Sequence, residues 1–407
     1  MTPFLKANLR WLAAGFLLLF CSCFGQTFVI ALSGGAIRRD FGLSDGAFGT
    51  LYAGVTLASA AALAGLGGLL DRWPASRVVG LAALLLAAGA AGLSVAPNLL
   101  VLASSLFLLR LAGQGLMLQT AYTLLGRWFS AERGRAVSLA ATGLNAGQAC
   151  LPLGFVAAAA ALGWRGAWLG VAALLLVGAL PLARHLVRRE RVPEAATRTG
   201  PAEGATRAEA LADPFLYGLL AAMLPPSFIS NTIFFHQVHL AESRGWPPEV
   251  LAAAFPPYAV ATLVFLLVAG RLVDRYSALA LLPVYLVPFG CGCLILGGVE
   301  ARSAAFAFML LYGVTDGISL TLFGALWPEV YGTRHLGAIR AAIVAIMVLG
   351  TALGPGLSGL LVDRGVPFAG IVTGMGAYCL IVSGALVLVR RRLAAHLRGR
   401  RFGGAAA

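Results

Sequence analysis

Gly67-Gly68-Leu69-Leu70-Asp71-Arg72 returns half a chain later as Gly270-Arg271-Leu272-Val273-Asp274-Arg275, an offset of 203 residues (71 to 274) in a chain of 407. Each copy closes a long apolar stretch. The same offset carries Gly134 onto Gly337, Gly147 onto Gly350 and Pro152 onto Pro355. Breakers and charges related by one shift in several places point to an internal duplication. Two related hydrophobic halves are the organisation expected of a transporter, with a site where the halves meet.

Working outward from that repeat, composition settles the solvent. Hydrophobic residues make up 59% of the chain and charged residues 11%, against roughly 25% charged in soluble domains. Apolar runs long enough to cross ~30 Å of hydrocarbon recur throughout, and no period-2 alternation suggests a barrel. The fold class is therefore an all-α membrane protein. The formal charge of +14 sits in short loops and the tail rather than in a continuous basic footprint, which excludes a nucleic-acid partner. Lys6 and Arg10 ahead of an apolar run imitate a signal peptide. The apolar character continues to Ile37, which favours a retained first helix. All six cysteines fall inside apolar segments, and a Cys-x-Cys pair on a helix points its side chains apart, so neither Cys21/Cys23 nor Cys291/Cys293 makes a clamp or disulfide.

Charge and turn signals divide the chain into twelve spans, at 11–37, 46–70, 77–96, 99–126, 136–160, 166–187, 214–240, 249–271, 278–298, 303–328, 337–361 and 367–389. The expected domains are a six-helix bundle over 1–187, a linker over 188–213, a second six-helix bundle over 214–389 and a basic tail over 390–407. With both termini in the cytoplasm, 23 of the 30 Lys and Arg residues lie inside. That bias follows the positive-inside rule and predicts a multi-pass protein of the plasma (bacterial inner) membrane.

The loop motif at 67–72, followed by Arg77, and its copy at 270–275 resemble the loop 2–3 and loop 8–9 signatures of the major facilitator superfamily. Arg110-Leu111-Ala112-Gly113-Gln114-Gly115 resembles that family's fourth-helix arginine motif, and Gly143-x3-Gly147-x4-Pro152 its fifth-helix glycine/proline motif. Pro74 and Ala75 depart from the family pattern, as does the missing Gly-Pro pair in span five. Arg127-Trp128-Phe129, Arg133-Gly134-Arg135 and Gly163-Trp164-Arg165 look like the monocarboxylate and organic-anion branch. The resemblance implies two pseudo-symmetric six-helix bundles and alternating access, with spans one, four, seven and ten lining a central cavity.

Physical reading gives the motif a gating role without the resemblance. Small Gly67 and Gly270 permit close helix approach. Asp71 and Asp274 can sit against a helix N-terminus, while Arg72, Arg77 and Arg275 face inner headgroups. Gly143, Gly147, Pro152, Gly350 and Pro355 read as packing or kink positions, and the Pro225-Pro226 pair as a kink in span seven.

Arg110 and Asp316 are the two ionisable residues clearly inside spans, both near mid-bilayer. A charge there costs at least ~2.5–3.5 kcal/mol, so a buried partner or a wet cavity is expected. Two readings stay open. The pair forms a structural salt bridge, or Arg110 attracts an anion while Asp316 binds a coupling proton. Gln114 follows Arg110 by one turn, Tyr312, Asp316 and Ser319 share a face, and Gln26 and Asn231 add polar groups on spans one and seven. His236 is a further proton-sensitive candidate. His236 and His239 lack a third ligand, so no metal site is expected. No nucleotide-binding loop or catalytic cluster appears, so no cofactor and no enzymatic activity are expected. The expected partners are the lipid bilayer, a small organic anion and protons, with a monomer as the default state. The expected function is proton-coupled secondary transport. Anion exchange, efflux of drugs or metabolites, and a non-transporting solute receptor are the alternatives.

Overall fold

The structure is a computed structural model that describes residues 3–66, 69–129, 132–189, 205–331 and 336–399. The described residues are helical nearly throughout and contain no strand. In lipid a helix satisfies its own backbone groups, which is why an apolar chain of this kind adopts no other element.

Among the described residues, eleven helical segments are long and apolar enough to cross a membrane. The longest, Gly134–Val187, holds two spans. They are divided at Gly163, whose φ of 72° and ψ of 163° reverse the chain in a single residue. Twelve spans result. Span 1 begins at Phe4 and continues beyond Gly25 in short helical pieces to Phe41. Spans 2, 3 and 4 are Asp45–Leu66, Ala75–Val95 and Leu99–Trp128, and spans 5 and 6 lie on either side of Gly163. Spans 7 to 10 are Pro214–Phe235, Glu249–Val273, Ala278–Gly298 and Ser303–Tyr331. Spans 11 and 12 are the helices Leu336–Asp363 and Phe368–Gly399.

Three features differ from a row of regular helices. Span 1 is interrupted at Gln26, whose extended backbone (φ −93°, ψ 153°) separates a tight turn at Cys23–Gly25 from the next helical piece. The interruption lies where span 1 presses on span 4: a Cβ at Gly25 would fall 2.1 Å from the Leu109 carbonyl oxygen, and one at Gly113 2.5 Å from the Gly25 Cα. Span 4 widens into a π-helical stretch over Arg110–Met117, and span 6 into another over Leu174–Ala179. Span 7 carries Pro225 and Pro226 inside one helix that ends at Phe235, and a separate helix Gln237–Ser243 follows.

By compactness the chain divides into two units. The first comprises Met1–Arg198, Asn231–Pro256 and Ala352–Gly365. At the terminus end of this unit an apolar core of Leu12, Leu18, Val79, Leu125, Trp128 and Phe129 joins spans 1, 3 and 4. Arg10 fastens the start of span 1 to the end of span 6, donating to the carbonyls of Leu186 (2.8 Å) and His185. The opposite end includes the short segments from spans 7, 8 and 11. There Asp363 accepts from the Ser44 hydroxyl at 2.6 Å and the Gly46 amide at 3.0 Å. Trp168 donates to Ser33 at 2.7 Å, tying span 6 to span 1.

The second unit comprises Thr199–Ser230, Pro257–Thr351 and Val366–Ala407. Glycines let its helices approach through their backbones, as a membrane interior requires when no hydrophobic force separates protein from lipid. A Cβ at Gly297 of span 9 would lie 2.7 Å from the Ala369 carbonyl of span 12. Tyr285 donates to the Ala222 carbonyl, and Thr315 to the Tyr285 carbonyl at 2.9 Å. The helix Arg207–Leu211, opened by a capping box between Thr206 and Glu209, precedes Asp213, which accepts from the Tyr331 hydroxyl at 3.2 Å.

Candidate functional site

Arg110 is the most informative side chain of the first unit. Eleven residues into span 4, it is 3% exposed. Its Nη1 points to the Gly25 carbonyl at 3.4 Å and to Thr27 Oγ1 at 3.3 Å. The guanidinium carbon lies 5.3 Å from the centre of the Tyr52 ring, within the range of a cation–π contact. The break in span 1 helps create this environment, because the turn that ends at Gly25 brings its carbonyl and Thr27 onto the arginine.

Thr27 is the hub of a polar chain. Its Oγ1 receives the Tyr52 hydroxyl at 3.0 Å and lies 2.6 Å from Asn231 Oδ1, to which it donates. The chain thus joins spans 1, 2, 4 and 7 through side chains alone. None of these partners is a carboxylate. Within the first unit no described acid pairs with Arg110, and its buried Nε has no hydrogen-bond partner. Gln114 Oε1 and Thr56 Oγ1 are buried in the same condition. A guanidinium carries five donors in a planar fork that matches a carboxylate. An arginine held by two long neutral bonds and an aromatic face therefore retains directed capacity for an anion.

The π-helical stretch sets the spacing of this surface. With more than four residues in each turn, residues i and i+4 stay near one face, so Arg110 and Gln114 project together. Such turns are rare and cluster at functional sites.

In the second unit Asp316 is half-buried and receives the hydroxyl of the fully buried Tyr258 at 2.8 Å. The rings of Tyr258 and Tyr312 stack at 5.0 Å with an 8° interplanar angle, which fixes the donor. Tyr312 is accordingly a positioning neighbour of the acid. Ser319 donates to the Asp316 backbone carbonyl at 2.8 Å, so its hydroxyl is bonded within its own helix. Each mid-span charge thus has partners of its own: Arg110 has Gly25, Thr27 and Tyr52, and Asp316 has Tyr258.

The remaining expected residues fall in several places. Gln26 is half-buried at the break itself, where its carbonyl accepts the amides of Val29 and Ile30, both at 3.2 Å. His236 is 1% exposed at the end of span 7. Its Nδ1 lies 3.5 Å from Asp45 Oδ1, and the Nδ1 of His239 lies 3.2 Å from Asp45 Oδ2. Among the described residues no group of three or more His, Cys, Asp or Glu side chains could hold a metal. Gly67 lies outside the described residues, as do the side chains of Asp71 and Asp274. Arg72 and Arg77 are exposed, and Arg275 covers the Tyr276 ring at 5.2 Å. Arg127 donates to the Leu70 carbonyl at 2.8 Å, so the end of span 4 holds the backbone of the motif.

A Cβ at Gly143 would lie 2.2 Å from the Phe16 carbonyl, and one at Gly147 2.5 Å from Cys23 Sγ. Gly350 packs on Leu224, Pro152 is buried inside its helix, and the Pro355 carbonyl accepts from Ser358 at 3.2 Å. Thr27, Tyr52 and Tyr258 escaped the sequence reading. For Thr27 a signal existed: it follows Gly25 and Gln26, which interrupt an apolar run.

Comparisons with known proteins agree with this architecture. The family pattern described as Major Facilitator Superfamily matches residues 15–355 and 227–405. Monocarboxylate transporter 11 of Mus musculus is 30% identical over 322 residues, covering 73% of this chain and 68% of that protein. Monocarboxylate transporter 13 of Bos taurus is 29% identical over 306 residues, covering 72% of this chain and 68% of that protein. Among solved structures, a bacterial homolog of the human lysosomal transporter Spinster, in an inward-facing and unoccupied conformation, superposes with a TM-score of 0.70. It shares 15% identity and covers 98% of this chain and 97% of its own. The nucleoside transporter NupG gives 0.62 at 15% identity, covering 95% of this chain and 98% of its own. At these identities the two structures speak for the fold alone.

Proposed function

Because the chain belongs to the major facilitator superfamily, as a multi-pass membrane transporter and not an enzyme, we propose that it carries a small organic anion whose carboxylate is held by Arg110. The observation that carries this reading is the buried guanidinium with neutral partners and an unpaired Nε. A desolvated cation of this kind binds a carboxylate through charge-assisted bonds worth roughly twice a neutral one. Asn231, Gln26 and Gln114 supply the polar rim. The names of the monocarboxylate transporters that the chain resembles support the same ligand chemistry.

Asp316 is the proposed carrier of a coupling proton. A carboxyl group at this depth, hydrogen-bonded to one phenol, can change its protonation as a cavity around it wets and dries. Proton and anion then move in the same direction, and the charge carried across the bilayer is reduced. Alternation comes from rocking of two six-helix bundles, 1–187 and 214–389, with the Asp-Arg loops as latches on the terminus side. The distribution of Lys and Arg supports a cytoplasmic location for that side.

Uptake of labelled short carboxylates into proteoliposomes, with and without an inward-acid gradient, tests the reading. Wild type accumulates substrate with the gradient, Arg110→Ala loses uptake, and Asp316→Asn loses accumulation while retaining exchange. If both variants transport like wild type with an unchanged pH dependence, the assigned site is wrong.

A further inference from the structure

The opposite end of the first unit carries a second ionisable cluster, away from Arg110. Asp45 opens span 2 and gathers three donors on its carboxylate. Arg38 Nη1 and His239 Nδ1 reach Oδ2, and His236 Nδ1 reaches Oδ1. These residues line one small enclosed cavity together with Gly34, Phe48 and Phe235. The other charges of the neighbourhood are a contact further out. Glu242 pairs with Arg39 at 3.0 Å and with Arg38 at 3.7 Å, while Asp363 of span 11 binds Ser44 and the Gly46 amide.

His236 has acceptors on both sides of its ring. Nδ1 faces the Asp45 carboxylate at 3.5 Å, and Nε2 faces the Pro355 carbonyl oxygen of span 11 at 3.2 Å. A neutral imidazole has one N–H and one bare lone pair, so it can satisfy one of these acceptors and must turn a lone pair on the other. Only the imidazolium donates to both. The side chain is 1% exposed, so water does not relieve the mismatch. Span 2 is pressed onto the same turn of span 11, since a Cβ at Gly49 would lie 2.5 Å from the Pro355 carbonyl oxygen.

We infer that His236 is a proton-operated latch: its doubly protonated ring bridges Asp45 and Pro355, and the loss of one proton releases the ends of spans 7 and 11 from span 2. The ligand of this site is the proton itself. Closing the latch gives the imidazolium two acceptors that the open form does not offer. By linkage, acid favours the closed form and rising pH favours opening. The inference rests on the proposed transport reading only in taking the protein to alternate between open and closed states. It does not depend on which solute Arg110 holds.

The test is a distance measurement across this end. Spin labels at Ala47→Cys and Ser243→Cys, with the six native cysteines replaced, report the separation of span 2 from the helix Gln237–Ser243 that follows span 7, in liposomes between pH 5 and 8. The short-distance population should dominate at pH 5 and fall about tenfold relative to the long one by pH 8, the ratio that ~1.4 kcal/mol commands. His236→Gln, which donates on one side only, should flatten the titration, and His239→Gln should keep it. If His236→Gln does not fold, Asp45→Asn makes the same test, because it removes the charge that favours the imidazolium. A wild-type distance independent of pH, or a His236→Gln or Asp45→Asn variant that titrates like wild type, overturns the latch. Asp316→Asn should leave this titration intact even where it abolishes coupled transport, which separates failure of the latch from failure of the proposed transport site. Loss of the titration in Asp316→Asn would move the switch away from His236.

Discussion

Spans 4 and 10 are related by the same offset as the loop motif, which sets Arg110 against Gly313 and Gly113 against Asp316. Each span thus has a charge and a glycine one turn apart, in exchanged order. In both, the glycine makes the close contact: Gly113 lies on the backbone of span 1 at Gly25, and Gly313 on the Tyr258 carbonyl of span 8. The charges differ in how far they are satisfied. Asp316 sits in a regular helix and is met by a phenol held in a stack. Arg110 sits in a widened π-helical stretch, with two long neutral bonds and an unpaired Nε. The two halves share a way of packing and differ in their chemistry, which is why the proposed function gives the anion to one and the proton to the other.

That contrast can be broken most severely at Arg110. Arg110→Ala removes the proposed counter-charge of the anion and should lower uptake by at least about 100-fold, since loss of a buried charge partner costs ~2–5 kcal/mol. Arg110→Lys should recover part of it, because an ammonium keeps the charge but not the fork. Equal uptake by the Ala and Lys variants would show that charge is not what this residue supplies. Next in size is the packing half of the comparison. Gly113→Val places carbon atoms where Gly25 lies and should destabilise the fold by about 1–3 kcal/mol, read as a lowered Tm and reduced yield. Gly313→Val should behave alike if the two crossings are equivalent, and a fully stable variant at either position would break the parallel.

Tyr258→Phe leaves the stack on Tyr312 but removes the donor to Asp316. Loss of a hydrogen bond to a charged group costs ~1.5–3 kcal/mol, so gradient-driven turnover should fall roughly tenfold while KM for the anion changes little. A rise in KM alone would place Tyr258 on the substrate. Ser319→Ala should be the mildest, within about twofold of wild type in uptake, because its hydroxyl serves its own helix. A large effect there would return Ser319 to the binding surface that its sequence position first suggested.

The spans and the two mid-span charges were legible because lipid imposes a plain rule on composition and a high cost on charge. The partners were harder to read. Thr27, Tyr52 and Tyr258 are ordinary residues in apolar helices, and what they do depends on which helix arrives opposite them. The break at Gln26 and the π-helical stretch in span 4 were hidden for a related reason. Neither contains proline, and both lie where Gly25 and Gly113 bring two backbones together, a contact between residues 88 positions apart (25 to 113). Asp45 was passed over because it stands at the head of a span, where acids are common; only the fold sets His236 and His239 beside it. The loop aspartates are the reverse case, conspicuous in sequence while their side chains lie outside the described residues.

Spans 5 and 6 meet at Gly163 with no loop between them. A connector one residue long leaves little slack, so spans 5 and 6 are expected to tilt together. An epitope or flexible spacer inserted after Gly163 would uncouple the two arms, whereas the same insertion in the turn at 299–302, between the end of span 9 and the start of span 10, would leave its neighbouring helices joined as loosely as before.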